Sequence, residues 1–241
     1  MIVLLTDFGF GEYVGVVKGV ILTIDPDARI VDLCHDIRPQ SIVEASWVLR
    51  NNFGYFPTGS TFCCVVDPGV GTDRRAIAVQ TESYHFIAPD NGLLWETVSA
   101  QRVLAIRQIP VPEEASSTFH GRDVFAKTAA RVNLGRFDEL GPRIENIERF
   151  ELHRMDRKGT VVRIDRFGNI VTNLPPLSQN EYHVRFDAHE QTVPYFRTYE
   201  EAPENALILI TGSHNTLELS VKNADANALL HLAPGQTIVI A

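Results

Sequence analysis

Three apolar runs end in an acid followed closely by glycine: "TDFG" (6–9), "VDPGVG" (66–71) and "APDNG" (88–92). Their aspartates are Asp7, Asp67 and Asp90. Glycine is needed where a chain turns sharply or where backbone must approach a ligand. Any one such segment reads as an ordinary turn, because Asp, Asn and Gly favour turns. Three of them at the carboxyl ends of strands in one sheet are a different matter, because that edge is where open α/β sheets bind ligands. The second segment continues as "TDRR", so Arg74 and Arg75 follow Asp67 at short range. The stretch from Asp67 to Arg75 is therefore either a tight turn between two strands or part of an active site.

A histidine lies in "TFHGRD" (118–123), at the start of a helical segment. His120 reads either as a capping or core histidine or as a general base, since its intrinsic pKa suits that role. Asp123 has a plain reading as a favourable charge on the helix dipole. Further along, "DRFGNIVTN" (165–173) is a strand followed by a turn or bulge. Asp165, Asn169 and Asn173 could satisfy their own backbones there. Asn169 could equally read a purine edge, since an amide offers a donor and an acceptor. "TGSHN" (211–215) is a hairpin turn, or a carboxylate-binding loop if Ser213 and nearby N–H groups face a ligand.

These residues need a frame to hold them. In the first half, apolar runs at 1–9, 29–36 and 60–67 read as strands, with 13–24 and 41–53 between them as helices. Val17, Val20, Ile21 and Ile24 share one face of the first helix. Ser41 is its successor's N-cap, with Glu44 three residues on. "AIAVQT", "HFIAPDNG" and "RVLAIRQ" add strands, and a helix over 121–135 ends on Gly135. This order implies an α/β domain with a largely parallel sheet. From about residue 150 the pattern becomes strand-rich: 158–174, 181–186, 206–223 and 236–241, with one helix candidate at 225–232. Two domains are expected, an N-terminal α/β domain over 1–152 and a smaller, all-β, barrel-like domain over 158–241.

Composition narrows the function. The formal net charge is -8 and no basic stripe exists, which argues against nucleic-acid partners. The apolar run at Met1 is short and meets Asp7, so it is neither a signal peptide nor a membrane span, and a cytoplasmic protein is expected. Cys34, Cys63 and Cys64 show no CxxC spacing and read as reduced, buried thiols. Cys63 and Cys64 are adjacent in a strand, so they should face opposite ways. No P-loop, dinucleotide fingerprint, kinase set or zinc-like spacing is present.

Five segments together, "LLTDFGFGEYVGVVKG", "DPGVGTDRRAIAV", "APDNGLL", "TFHGRDVFA" and "DRFGNIVTN", span almost the whole chain. On them the protein resembles the S-adenosylmethionine hydrolases, or S-adenosyl-L-methionine hydroxide adenosyltransferases, relatives of fluorinase and chlorinase. The resemblance implies attack of water or hydroxide on the ribose 5′ carbon, giving adenosine and L-methionine. It implies no metal and no organic cofactor. It also implies a homotrimer, with each site between the N-terminal domain of one subunit and the C-terminal domain of the next.

The family's Asp-Arg-His set falls on Asp67, Arg74 and His120. Arg74 is chosen over Arg75 because the family arginine lies seven residues after the aspartate, which leaves Arg75 structural or superficial. Asp7 matches the acid on the ribose hydroxyls, Asn169 the adenine-reading asparagine, and Asp165 the acid facing the methionine ammonium. Ser213 matches a residue at the methionine carboxylate, and the backbone around Asn223 and Ala224 helps hold adenine. His214 stands where the halogenases carry an arginine. Three rival readings are a halide-using relative, a metal-dependent nucleoside hydrolase built on Asp7, Asp67, Asp90 and His120, and a nucleoside-binding protein without turnover.

Overall fold

A computed structural model describes all residues from Met1 to Ala241. The chain divides into two compact units, Met1–Glu151 and Leu152–Ala241. In the first unit the elements are β1 (Ile2–Thr6), α1 (Glu12–Ile24), β2 (Ile30–Cys34), α2 (Ile42–Asn52), β3 (Thr61–Val65), β4 (Ala76–Thr81), β5 (His85–Pro89), α3 (Trp95–Val98) and β6 (Val103–Ile109). A π-helical turn over Gly121–Ala126 then runs into α4 (Lys127–Asn133).

The strands form one sheet in the order β2-β1-β3-β5-β4-β6. β2, β1, β3 and β5 are parallel neighbours. β4 departs from the parallel pattern, running antiparallel to both β5 and β6. Only residues 82–84 join β4 to β5, too few for a crossover, so that pair has to be a hairpin.

Alternation along the strands builds a core on each face of this sheet. Ile2, Leu4, Cys63 and Val65 face α1 and α4, while Val3, Leu5, Phe62 and Cys64 face α2 and α3. Cys63 and Cys64 therefore point to opposite faces, as strand geometry requires. Each fully buried aliphatic or aromatic side chain here contributes about 1.5–3 kcal/mol. α1 buries Val17 and Ile21 and packs Val20 and Ile24 against the same core. Ser41 caps α2 by accepting from the Glu44 N–H at 3.3 Å. The Glu44 carboxylate does not close a capping box; it accepts from the Arg38 N–H at 3.1 Å.

The second unit contains β7 (Lys158–Ile164), β8 (Ile170–Thr172), β9 (Glu181–Phe186), β10 (His189–Pro194), β11 (Leu207–Thr211), β12 (Leu217–Val221), α5 (Asn227–Leu230) and β13 (Thr237–Ile240). Its sheet runs β10-β9-β13-β7-β8-β12-β11 with every ladder antiparallel. A bridge from Tyr195, just past β10, to Leu209 on β11 nearly closes the sheet into a barrel. Its interior is filled by Val161, Ile170, Tyr182, Val184, Leu217, Leu219 and Ile238. β10 has no signal in its own sequence, "HEQTVP", and forms because β9 and a tight turn at Asp187 (φ 46°) give it a partner. No helix in either unit is long and apolar enough to cross a membrane.

Candidate active site

β1, β3 and β5 are adjacent and parallel, so Asp7, Asp67 and Asp90 leave the sheet from one edge. Their surroundings differ. The Asp90 side chain is 2% exposed, accepting from Arg75 Nε at 2.8 Å and from the Glu148 N–H at 2.7 Å. Asn91 donates to the Val66 carbonyl at 2.9 Å and ties the end of β5 to the end of β3. "APDNG" is thus a structural clamp, and Arg75 is its counter-ion.

Asp67 and Arg74 meet differently. Nε of Arg74 lies 2.9 Å from Oδ1 of Asp67, and Nη2 lies 2.5 Å from Oδ2. The pair is largely buried, at 6% and 10% side-chain exposure. The turn between them explains the fit. Val70 N–H donates to the Asp67 carbonyl at 3.3 Å and Thr72 N–H to that of Gly69 at 3.1 Å, folding the chain back on itself. Gly71 has φ +77°, and a Cβ there would lie 2.3 Å from the Ser117 carbonyl oxygen. Only glycine allows this turn to press against the loop that carries His120.

His120 sits at the start of the π-helical turn and is 5% exposed. Its side chain caps no helix N–H; instead Nδ1 lies 2.7 Å from Arg74 Nη2. Arg74 thereby bridges Asp67 and His120, with its guanidinium carbon 5.3 Å from the centre of the Phe125 ring. Burial, then the charge of Arg74, pushes the imidazole below its ordinary pKa, against the pull of Asp67 and Asp123. Asp123 lies in the first turn of the helix, where its charge suits the helix dipole, and it has a further task. Its carboxylate pairs with Arg122 and accepts from the Ser116 N–H at 2.9 Å, fixing the loop ahead of His120. The Arg122 hydrogen bonds hold Asp123 down to about 2. π-helical turns of this kind recur at functional sites.

Asp7 follows β1 and is near enough to Asp67 to feel its charge. Burial raises its pKa, while the Gln40 N–H, donating at 2.8 Å, opposes that rise. No three His, Cys, Asp or Glu side chains converge in a metal-holding arrangement.

In the second unit, one pocket of about 940 Å³ gathers all five of the residues picked out there: Asp165, Asn169, Ser213, Asn223 and Ala224. Asp165 sits in the turn from β7 to β8, its Oδ1 accepting from the Phe167 and Asn169 N–H groups, each at 2.8 Å. Its Oδ2 accepts from Asn169 Nδ2 at 2.8 Å, which leaves Asn169 Oδ1 free to accept. Ser213 is exposed in the β11–β12 hairpin, beside Gly212. Asn223 takes a left-handed φ of 59°, turning the chain after β12. His214 is not among the lining residues; burial and then Arg163 lower its pKa.

The same pocket holds Phe167, Tyr199 and Glu218, which sequence reasoning passed over. Tyr199 lies in a loop without periodic pattern. Glu218 had a usable signal: Leu217 and Leu219 belong to the core, so the acid between them must face the other way. Burial, then Asp165, pushes Glu218 up to about 7.

Residues 2–141 match the model for the SAM hydroxide adenosyltransferase N-terminal domain, and residues 159–239 that for the C-terminal domain. The chain is 36% identical to an (R)-S-adenosyl-L-methionine hydrolase of Thermus thermophilus, with 97% of this chain and 96% of the relative covered. A protein of the same name from Methanocaldococcus jannaschii is 40% identical, over 72% of this chain and 66% of the relative. A Nocardia brasiliensis fluorinase is more distant, 27% identical over 72% of this chain and 71% of its own. The crystal structure of an uncharacterized conserved protein from Thermotoga maritima superposes with a TM-score of 0.90 at 33% identity, covering both chains in full. With both domain models matched in order and relatives this similar along nearly its whole length, the chain belongs to the SAM hydroxide adenosyltransferase family.

Proposed function

We propose that this protein hydrolyses S-adenosyl-L-methionine to adenosine and L-methionine, acting on the R form specified in the names of its relatives. The observation that carries the reading is the Asp67–Arg74–His120 bridge, two hydrogen-bonded contacts of 2.5 and 2.7 Å at the carboxyl edge of the sheet. In this reading those three residues act on the attacking water. Asp7 holds the ribose hydroxyls, Asn169 and the backbone at Asn223 and Ala224 hold adenine, and Asp165 and Ser213 hold the methionine end.

The chemistry asks little of an acid. A sulfonium leaves as a neutral thioether, so the leaving group needs no proton. The water must be held in line with the C–S bond, which contributes up to roughly 7–11 kcal/mol in well-oriented reactions. As the new C–O bond forms, the C–S bond breaks and its electron pair goes to sulfur. The attacking oxygen becomes an oxonium, acidic enough for a carboxylate to take its proton. Asp67 fits that role: Oδ2 accepts from both Nε and Nη2 of Arg74, but Oδ1 accepts only from Nε and keeps a lone pair. Arg74 fixes the carboxylate, and His120 fixes Arg74.

Metal independence is part of the proposal. It is supported by the engagement of Asp90 with Arg75 and of Asp67 with Arg74, which commits two of the three acids of a metal-site reading to arginines. A homotrimer with shared sites is also proposed. The division of the assigned residues between the two units supports it, and light scattering on the purified protein tests it. A cytoplasmic location is supported by the three free cysteines, which a reducing compartment keeps as thiols.

The test is product analysis after incubation with each sulfonium epimer, with and without chelator and chloride. Adenosine and methionine, unaffected by chelator, are expected. Free adenine, 5′-chloro-adenosine or intact substrate would contradict the proposal.

A further inference from the structure

We propose that Glu218 supplies a second carboxylate at the ammonium seat already assigned to Asp165, so that selection for a substrate carrying a free amine depends on Glu218 as well. The assignment rests on the hydrolase reading above. It starts from an imbalance of charge. Glu218 projects from β12 into the pocket shared with Asp165, Asn169 and Tyr199. Asp165 spends three lone pairs on the backbone and amide groups of its own turn. Neither oxygen of Glu218 accepts a hydrogen bond from the chain, and burial and Asp165 are what act on it.

The pocket's own cation does not relieve this. Lys222 Nζ lies 3.4 Å and 3.3 Å from the carbonyls of Glu200 and Ala202 and 3.5 Å from Glu204. Tyr199, facing the pair from the loop before β11, is itself pushed towards its neutral form, first by burial. His214, on the hairpin beside them, is held below its ordinary pKa by burial and Arg163 and adds no positive charge at neutral pH. The hairpin backbone is built around the carboxyl: a Cβ on Gly212 would lie 1.7 Å from Oε1 of Glu218.

Two half-buried acids with unspent lone pairs call for a cation that donates hydrogen bonds. The substrate has two cations. The sulfonium has no N–H or O–H to donate, and the adenine amine is neutral. The α-ammonium has both charge and three donors. Seating it makes Glu218 ionise, so binding expels a proton at neutral pH.

The test compares S-adenosyl-L-methionine with its analogue lacking the α-amino group, in the wild type, Glu218→Gln and Gly212→Ala. KM for the natural substrate should rise roughly ten- to a hundredfold in Glu218→Gln, the range for one charged hydrogen bond. KM for the deaminated analogue should hardly move, and the effect should fall on KM and not on kcat. Gly212→Ala, whose new methyl displaces the carboxyl, should reproduce the pattern. In the wild type kcat/KM should climb as pH rises through about 7; in Glu218→Gln that rise should be missing. Equal effects on the two substrates, or none on either, would overturn the assignment while leaving hydrolysis intact. A wild type that turns over neither overturns the hydrolase reading and this assignment with it.

Discussion

Nη2 of Arg74 donates to Nδ1 of His120 across 2.7 Å. A guanidinium has no lone pair to offer, so Nδ1 must be the bare nitrogen and Nε2 must carry the proton. His120 is held as the neutral Nε2–H tautomer, with its one basic site turned towards an arginine. In this arrangement the histidine steadies Arg74, and under the proposed hydrolysis the proton would pass to the carboxylate of Asp67.

The first consequence is a pH dependence. Protonating His120 would place two donors against each other and break the bridge. Burial and Arg74 keep the imidazole below its usual value of about 6.5. Turnover at saturating substrate should be level above that value and fall as pH drops below it. Stability should follow the same sign, because the unfolded chain takes up the proton first; it should decline below about 6.5 and level off under the folded-state value. A kcat–pH profile checks this, and His120→Gln should lack the acid limb.

Asp67→Asn keeps the shape of the side chain and removes its charge. It should lower kcat roughly a hundredfold to ten-thousandfold, the range for losing a general base. Substrate affinity, followed by calorimetry, should change little. A loss confined to affinity would make Asp67 a recognition group.

Gly71→Ala should disturb catalysis without touching any side chain of the bridge. Its Cβ meets the Ser117 carbonyl at 2.3 Å, and the left-handed φ of +77° is strained for alanine. The turn and the His120 loop must part, at a cost of about 1–3 kcal/mol. Urea unfolding and kcat should therefore fall together.

Arg75→Ala separates the two neighbouring arginines. It leaves the carboxylate of Asp90, 2% exposed, without its counter-ion. A loss of about 3–5 kcal/mol in unfolding free energy is expected. kcat per folded molecule should stay near the wild-type value, whereas Arg74→Ala should abolish turnover.

Much of this frame was legible in the sequence because it follows from short-range rules. The opposed faces of Cys63 and Cys64, the Ser41 cap and the shared edge at Asp7 and Asp67 depend only on strand period, capping chemistry and parallel order. What was not legible depends on contacts between distant segments. Asp90 looked like a third member of the edge, yet its partners Arg75 and Glu148 arrive from 15 residues before it and 58 after. Asp123 sits in the first helical turn as its helix-dipole signature implied, but its pairing with Arg122 and Ser116 was not marked by any pattern. The antiparallel turn of β4, by contrast, was legible in the three residues that separate "AIAVQT" from "HFIAPDNG", too few for a crossover. Tyr199 reaches its pocket from an irregular loop, where no periodicity announces a side chain's direction.

The central claim is that water attacks the ribose carbon. It is tested by turnover in water enriched in heavy oxygen, followed by mass analysis of both products. The label should appear in the 5′-hydroxyl of adenosine, one atom per molecule, and nowhere in methionine. Unlabelled adenosine, or label on the sugar's C1 oxygen beside free adenine, would contradict it.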